Sequence, residues 1–469
     1  MAYIGRGTDK ISNVEVLDNI TFDGSSSYTL QKSSVNFTPS SANTLLLSID
    51  GVVQAGNFTV SGSTIDFGTA VAGTSTCDFV LHYGVGLITA PSDGTVTAAK
   101  LASNSVTYEK IGYNANQFRN IIINGSMDIA QRATSVTGIT NGSSGYHTVD
   151  RFKFVESGSP STVFTQSQST DVPTGQGFAK SLKMDVTTAD ASLGADDAIY
   201  INTSVEGQNL QYIKKGTSSA ESLTLSFWVK SNITGTYIFE IIDRDNDRAI
   251  SKSYTISSAN TWEKKTITYA GDTTGTLDND NARSFELIYW LGAGANFSSG
   301  TLQTSWGSRT TANDAVGQVN LGDNTANEWY VTGVQLEVGT SASDFEFLPF
   351  DVNLQRCQRY FYIHANTNAD EIGIGGYYSS SQIFCDFQFP ISMRTTPSVY
   401  ITTGTNYFRI FRNGAIDSFN SLTFGAGNVN MFGLYNNTEV SGTAGHAGFV
   451  RPENSSAVIG ADAELWLTQ

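Results

Sequence analysis

The sequence predicts an all-β protein made of several β-sandwich or jelly-roll domains in series. Only 15% of its 469 residues are charged, while 45 Gly, 27 Phe and 20 Tyr favour short strands and turns over solvated helices. Segment after segment alternates apolar and polar residues with period two, and none sustains a helical period. The length exceeds what one ordinary core organises, so about three domains are expected.

Residues 1–88 hold the first strands. Residues 44–49 run into Asp50-Gly51, a two-residue hairpin signal, and return as Val52-Val53-Gln54. Residues 58–67 read as a second hairpin. Cys77–Tyr83 alternates, with Cys77, Phe79, Leu81 and Tyr83 expected on one face.

Residues 89–117 form a neck with an internal repeat. Val96-Thr97-Ala98-Ala99-Lys100-Leu101 recurs ten residues later as Val106-Thr107-Tyr108-Glu109-Lys110-Ile111. Val96, Leu101, Val106 and Ile111 are thus spaced by five, which fits neither a heptad seam nor strand alternation. Two such units cannot bury these side chains within one chain, whereas identical copies around a three-fold axis can. A parallel homotrimer with the four residues facing the axis is expected, and a plain linker is the alternative.

Residues 118–349 form the largest domain. Leu223, Leu225, Phe227 and Val229 share one strand face, and Thr224, Ser226, Trp228 and Lys230 the other. Phe285, Leu287, Tyr289 and Leu291 oppose Glu286, Ile288 and Trp290 in the same way. A tryptophan on the polar face of a strand is costly to leave in water, and sugar C–H faces stack on such rings. Trp228 and Trp290 are therefore candidate carbohydrate-binding residues, with Trp306 in the loop-like Ser305-Trp306-Gly307-Ser308 as a third. Cover by loops or by a neighbouring subunit is the alternative. Glu328–Val338 closes the domain and reads as strictly alternating. Tyr330, Thr332, Val334, Leu336 and Val338 are expected on one face and Gln335 and Glu337 on the other, before Gly339 ends the strand.

Residues 350–469 form a distal β tip. Ile383, Cys385, Phe387 and Phe389 point inward by alternation, and Phe384, Asp386 and Gln388 outward. Asn413-Gly414 signals a type I′ hairpin. A final strand should place Ile459, Ala461, Ala463, Leu465 and Leu467 on one face. Segments 375–380 and 425–428 have the Gly, Asn, Ser and Tyr composition of adaptable recognition surfaces, and attachment is expected most strongly around 375–381 and 408–416, which makes Tyr377, Tyr378 and Phe411 further carbohydrate-binding candidates.

Three stretches belong together. The run 329–339, Trp-Tyr-Val-Thr-Gly-Val-Gln-Leu-Glu-Val-Gly, is followed by Phe345-Glu346 and Cys357-Gln358-Arg359-Tyr360-Phe361. Upstream stand the segment from Asn120 to Arg132 and Val149-Asp150-Arg151-Phe152, and downstream Phe389, Met393-Arg394 and Pro397. These residues resemble a signature of bacteriophage tail fibres. The resemblance implies a carbohydrate-binding-module-like jelly roll and a distal tip. Ile49-Asp50-Gly51-Val52-Val53-Gln54, with the hairpin after it, resembles the N-terminal domains by which phage fibres dock on tail proteins, a β-sandwich with no special duty being the alternative there. The tail-fibre resemblance also implies a virion tail protein that attaches to a bacterial host through surface polysaccharide. Two alternatives stay open, a glycan-cleaving tail spike and a purely structural connector or head fibre.

Charge and motifs narrow the chemistry. A net charge of −16 with scattered Lys and Arg excludes the basic stripe of a nucleic-acid reader and disfavours anionic membranes. No apolar signal-peptide core or membrane-length run is present, so synthesis in a host cytoplasm without a secretion signal is expected. Cys77, Cys357 and Cys385 are too scattered for a disulfide framework or a zinc site. His82, His147, His364 and His446 have no metal-pair spacing, and no cofactor motif appears. Asp243-Arg244-Asp245-Asn246-Asp247 begins like a calcium loop, but Arg248 stands at the turn glycine and Tyr254 at the closing glutamate. Glycan hydrolysis needs two carboxylates, for which Asp243, Asp245, Glu286 and Glu337 are available. Nothing in their sequence arrangement makes them a pair, and a non-enzymatic binder is expected.

Overall fold

The computed structural model describes residues 14–83, 101, 118–368 and 370–464. The chain divides into two compact units, 1–113 and 114–469. It is almost entirely β-structure, as expected.

In the first unit, a four-stranded sheet runs in the order Val14–Leu17, Cys77–Tyr83, Leu45–Ile49, Val52–Gln54. A three-stranded sheet of Ser27–Thr29, Thr64–Asp66 and Thr59–Ser61 accompanies it, and Leu30, Leu47, Ile65 and Val80 form the core. The hairpin at Asp50-Gly51 forms as read: Ile49 pairs with Val52, and φ is +48° and +78° at the two turn residues. The facing of Cys77–Tyr83 differs from simple alternation. Leu47 pairs with Val80 but Ile49 with Cys77, so a bulge adds one residue to this strand. Beyond it Val80 and His82 are buried, while Phe79 and Leu81 are half-buried and Tyr83 is exposed. Of the neck residues, Val96, Val106 and Ile111 lie outside the described residues, and Leu101 is exposed.

The second unit contains two layered β-structures. In the first, two six-stranded antiparallel sheets face one another. One runs Ser135–Ile139, Val163–Ser169, Ser181–Thr188, Glu328–Val338, Leu223–Ser231, Glu263–Tyr269. The other runs Lys153–Ser157, Ala198–Glu206, Arg283–Ala293, Gly235–Asp243, Arg248–Ile256, Gly307–Ser308. The chain passes repeatedly from sheet to sheet, as in a jelly roll. Leu223, Leu225, Phe227 and Val229 pack inward against Phe239, Leu287 and Tyr289, which matches the alternation.

Glu328–Val338 departs from strict alternation at Gly333. That residue has φ +64°, and the pairing with Leu223–Ser231 slips between Ser226 and Trp228. Trp329 and Val331 face the core before the bulge, and Val334 and Leu336 after it. Tyr330 and Thr332 therefore lie on the opposite face from Val334 and Leu336. A Cβ at position 333 would stand 2.6 Å from the Phe178 ring, so the bulge also brings the backbone close to a neighbouring aromatic cluster.

The helix Phe350–Gln358 carries the chain into the tip, so the start of the Cys-Gln-Arg-Tyr-Phe motif is helical and only Phe361–Ala365 begins a strand. Seven strands form the main tip sheet, in the order Ala415–Phe419, Phe408–Arg412, Ala447–Pro452, Gly373–Ser379, Gln382–Gln388, Met431–Asn436, Thr423–Gly427. Phe361–Ala365, Ile459–Asp462 and Ser398–Ile401 form a second sheet, and Ile383, Cys385, Phe432, Leu434 and Ile459 fill the core. The Asn413-Gly414 hairpin has φ +44° and +73°, as a type I′ turn requires. The last strand ends at Asp462, and Leu465 and Leu467 lie outside the described residues.

Jelly roll and tip share a polar junction. Arg359 donates two hydrogen bonds, 2.8 and 2.7 Å, to the Glu206 carboxylate, which also accepts from the Tyr360 hydroxyl at 2.5 Å. Arg151 pairs with Glu464 and lies 3.5 Å over the Tyr360 ring. Arg132 lies 3.5 Å over Phe361 and reaches Asp462 at 3.0 Å. Arg394 donates to the carbonyl oxygens of Asn281, Ala463 and Glu464.

Candidate functional site

The outward face of the seven-stranded tip sheet carries the groove best suited to a ligand. Alternation along Gln382–Gln388 buries Ile383, Cys385 and Phe387 and turns Phe384 and Asp386 outward. On the neighbouring strand the same period buries Phe432 and Leu434 and turns Gly433 and Tyr435 outward. The register sets Phe384 opposite Tyr435 and Asp386 opposite Gly433. The two rings lie 5.8 Å apart, and Tyr378, 76% exposed, meets Phe384 edge-on at 5.9 Å to continue the aromatic row.

Glycine makes the groove floor. A Cβ at Gly433 would come within 2.4 Å of Asp386 Oδ1, and one at Gly425 within 3.2 Å of the Tyr435 ring. The open space is about 540 Å³, flanked by Gln382, Asn428 and Met431. Asp386 is exposed, and its carboxylate has no hydrogen-bond or ion-pair partner among the described residues. Two stacking rings beside a free carboxylate and two amides can hold a polyhydroxylated ring: aromatic faces take its C–H surface, and the polar groups take its hydroxyls.

The residues singled out by sequence fare differently. Trp290 is only 1% exposed. The segment after Arg283–Ala293 folds back over it, placing Phe297 at 5.5 Å, and its indole N–H donates to Glu240 at 3.0 Å. That burial removes Trp290 from the stacking candidates. Tyr377 is 2% exposed and donates to Asp417 at 2.6 Å, so only Tyr378 of that pair offers a ring. Trp306 is half-buried, stacks on Phe285 and donates to the Ala270 carbonyl at 2.9 Å. Trp228 stays half-exposed on the outer jelly-roll face, opposite Lys264 and Thr332. Trp262 and Tyr330, not singled out by sequence, stand on that face with Lys230 4.2 Å over the Tyr330 ring.

Phe411 belongs to a stripe of apolar side chains rather than to the groove. Ile416, Phe411, Phe449 and Ile374 are successive cross-strand neighbours over four strands. Ile374, Ile416 and Phe449 are more than half exposed, and Arg409 and Arg451 lie over the Phe411 ring at 4.8 and 4.2 Å.

The carboxylates considered for hydrolysis are engaged elsewhere. Asp243 pairs with Lys215 at 2.6 Å, so an ammonium occupies the loop that resembled a calcium site. Glu286 is held by Arg244 and Asn202, Glu337 by Ser343 and Gln335, and Asp245 accepts the Asp278 N–H. Among the described residues no group of His, Cys, Asp and Glu is arranged to hold a metal.

No family model matches the chain, and no curated protein matches it. Solved structures do. The enzymatically active domain of tailspike protein 4 of bacteriophage CBA120 is similar at 14% identity and a TM-score of 0.26, over 47% of this chain and 22% of that one. A family 11 carbohydrate-binding module from a Clostridium thermocellum cellulase follows at 12% identity and 0.23, over 42% and 94% of the two chains. The CBM22-1 xylan-binding domain of Paenibacillus barcinonensis Xyn10C stands at 14% and 0.19, over 40% and 87%. Likenesses at these scores carry no weight for what this chain binds, which rests on its own residues.

Proposed function

We propose that this chain is the glycan-binding adhesin of a bacteriophage tail fibre and attaches the virion to polysaccharide on a bacterial surface. The observation that carries the binding reading is the glycine-floored groove lined by Phe384, Tyr435 and segment 425–428, with Asp386 turned into it. The tail-fibre assignment rests on the resemblance of residues 120–132, 329–339 and 357–361. The first unit docks on tail proteins. Three chains associate through the neck, and the apolar stripe around Phe411 and Phe449 faces a neighbouring subunit. Weak grooves repeated over three chains gain strength through effective concentration.

Binding proceeds without cleavage in this proposal. Among the described residues Asp386 is the one carboxylate lining the groove, and glycoside hydrolysis calls for two carboxyls about 5–9.5 Å apart. Host polysaccharide incubated with the protein should release no new reducing ends, and their appearance would favour the tail spike. The binding test is a glycan array and a cell-adsorption assay on the full chain and on its Phe384→Ala and Tyr435→Ala variants. Each variant should weaken binding by about 0.5–1.5 kcal/mol per ring lost. Adsorption unchanged in both folded variants would remove the groove from the attachment surface. A stable monomer by sedimentation at micromolar concentration would remove the trimer.

A further inference from the structure

A second cavity, of about 390 Å³, lies between the jelly roll and the helix Phe350–Gln358, within the size range of ~300–1,000 Å³ typical of small-molecule sites. Its lining includes Phe118, Ile123, Gln208, Asn209, Tyr212 and Arg356. Arg356 is half-buried and makes no hydrogen bond or ion pair with any described residue. One helical turn away, by contrast, Arg359 is fully engaged by Glu206. The acidic group nearest in effect, Glu346, spends its carboxylate on the backbone N–H groups of Arg119 and Asn120. Burial depresses the Arg356 pKa, with the nearby Tyr360, Cys357, Glu346 and Tyr212 opposing it. A guanidinium carries five N–H donors in a planar fork that matches a carboxylate, and leaving it partly desolvated and unpaired is unfavourable. Exposed rings flank it, Phe118 at 61% and Tyr212 at 48%, and the side chains of Gln208 and Asn209 are exposed beside them.

We infer that this cavity is a second glycan site, specific for a sugar bearing a carboxylate, with Arg356 binding the acid group and Tyr212 or Phe118 stacking on the pyranose. The inference takes from the preceding section only that the chain binds glycans, and it is independent of the tip groove. Specificity follows from the geometry, since a neutral sugar leaves the guanidinium unpaired.

The test is calorimetric titration of the full chain with tri-galacturonate and with its methyl ester. Saturable binding is expected for the acid, with the uncharged ester at least about tenfold weaker, the equivalent of losing one charge-assisted contact. Arg356→Gln should abolish acid binding, and Tyr212→Ala, at an exposed position, should weaken it about fivefold or more with the fold intact. Phe384→Ala should leave it unchanged. No saturable acid binding, equal binding of the ester, or unaltered binding in Arg356→Gln would overturn the inference, whatever the tip groove does on neutral glycans. Equal displacement by inorganic sulfate at the same concentration as the sugar would mark a bare anion site and overturn it as well.

Discussion

Single residues in this molecule do work that their type alone does not announce. Gly433 is a groove floor, and its backbone does not require glycine, so a larger side chain there should fill the groove without unfolding the tip. Gly433→Val is expected to abolish glycan binding while the melting temperature stays close to the native value; full binding by this variant would place the ligand elsewhere. Glu156 shows the opposite balance. It is 3% exposed, accepts a hydrogen bond from Thr162, and burial pushes its carboxyl up to about 7. Between the ordinary value of 4.5 and that folded value, the native protein holds a proton that the unfolded chain has released. The penalty is thus small below pH 4.5, grows as pH rises, and is complete above about 7. Glu156→Gln removes it, for a gain of roughly 3 kcal/mol at alkaline pH and much less under acid conditions. Thermal unfolding at pH 5 and pH 8 measures this, and an equal gain at both would contradict it.

Elements show where sequence is legible and where it stops. The turns at Asp50-Gly51 and Asn413-Gly414 are readable because the left-handed conformations they need are a local demand met by adjacent residues. The inward faces of Leu223–Ser231 and of residues 285–291 are readable because Leu223, Leu225, Phe227 and Val229, and likewise Phe285, Leu287, Tyr289 and Leu291, reach the same core with an unbroken period. Gly333 is different. The slip there answers to Phe178 and to the pairing with Leu223–Ser231, both far away in sequence, so alternation gave the wrong partners for Tyr330 and Thr332. Gly333→Ala should cost about 1–3 kcal/mol, since φ is positive and the ring blocks a Cβ. Chemical denaturation tests it, and a neutral result would mean the bulge relaxes freely. The groove was half legible. Alternation already turned Phe384 and Asp386 outward, and the rule that singled out Trp228 applied equally to Phe384. What sequence withheld was the register that sets Tyr435 and Gly433 beside them. Trp290 failed for a related reason, because the covering segment with Phe297 folds back over an outer sheet face that alternation can only mark as polar.

At the scale of the second unit, six residues from the stretches that carry the resemblance lie at the junction. Arg132, Arg151, Arg359, Tyr360, Phe361 and Arg394 all bridge jelly roll and tip. Burial raises the Glu206 carboxyl, but the Arg359 and Tyr360 hydrogen bonds outweigh it and hold it below the usual range. Its contribution to stability is therefore present above the ordinary value of 4.5 and lost as pH falls through the lower folded value. Arg359→Ala leaves Glu206 buried without its cation and should cost about 3–5 kcal/mol. Calorimetry is expected to show the tip melting separately in this variant, where the native second unit melts as one; a single unshifted transition would mean the junction is incidental. The same junction has a mechanical consequence. Tension applied at the tip reaches the jelly roll through several bonded arginines at once as well as through the chain connection at 339–350. In the adhesin proposed above, a tip clamped in this way does not swivel to search for a receptor. In that proposal it meets the surface at a fixed angle, and a pulling force loads the ion pairs together, so the ligand should let go before the junction does.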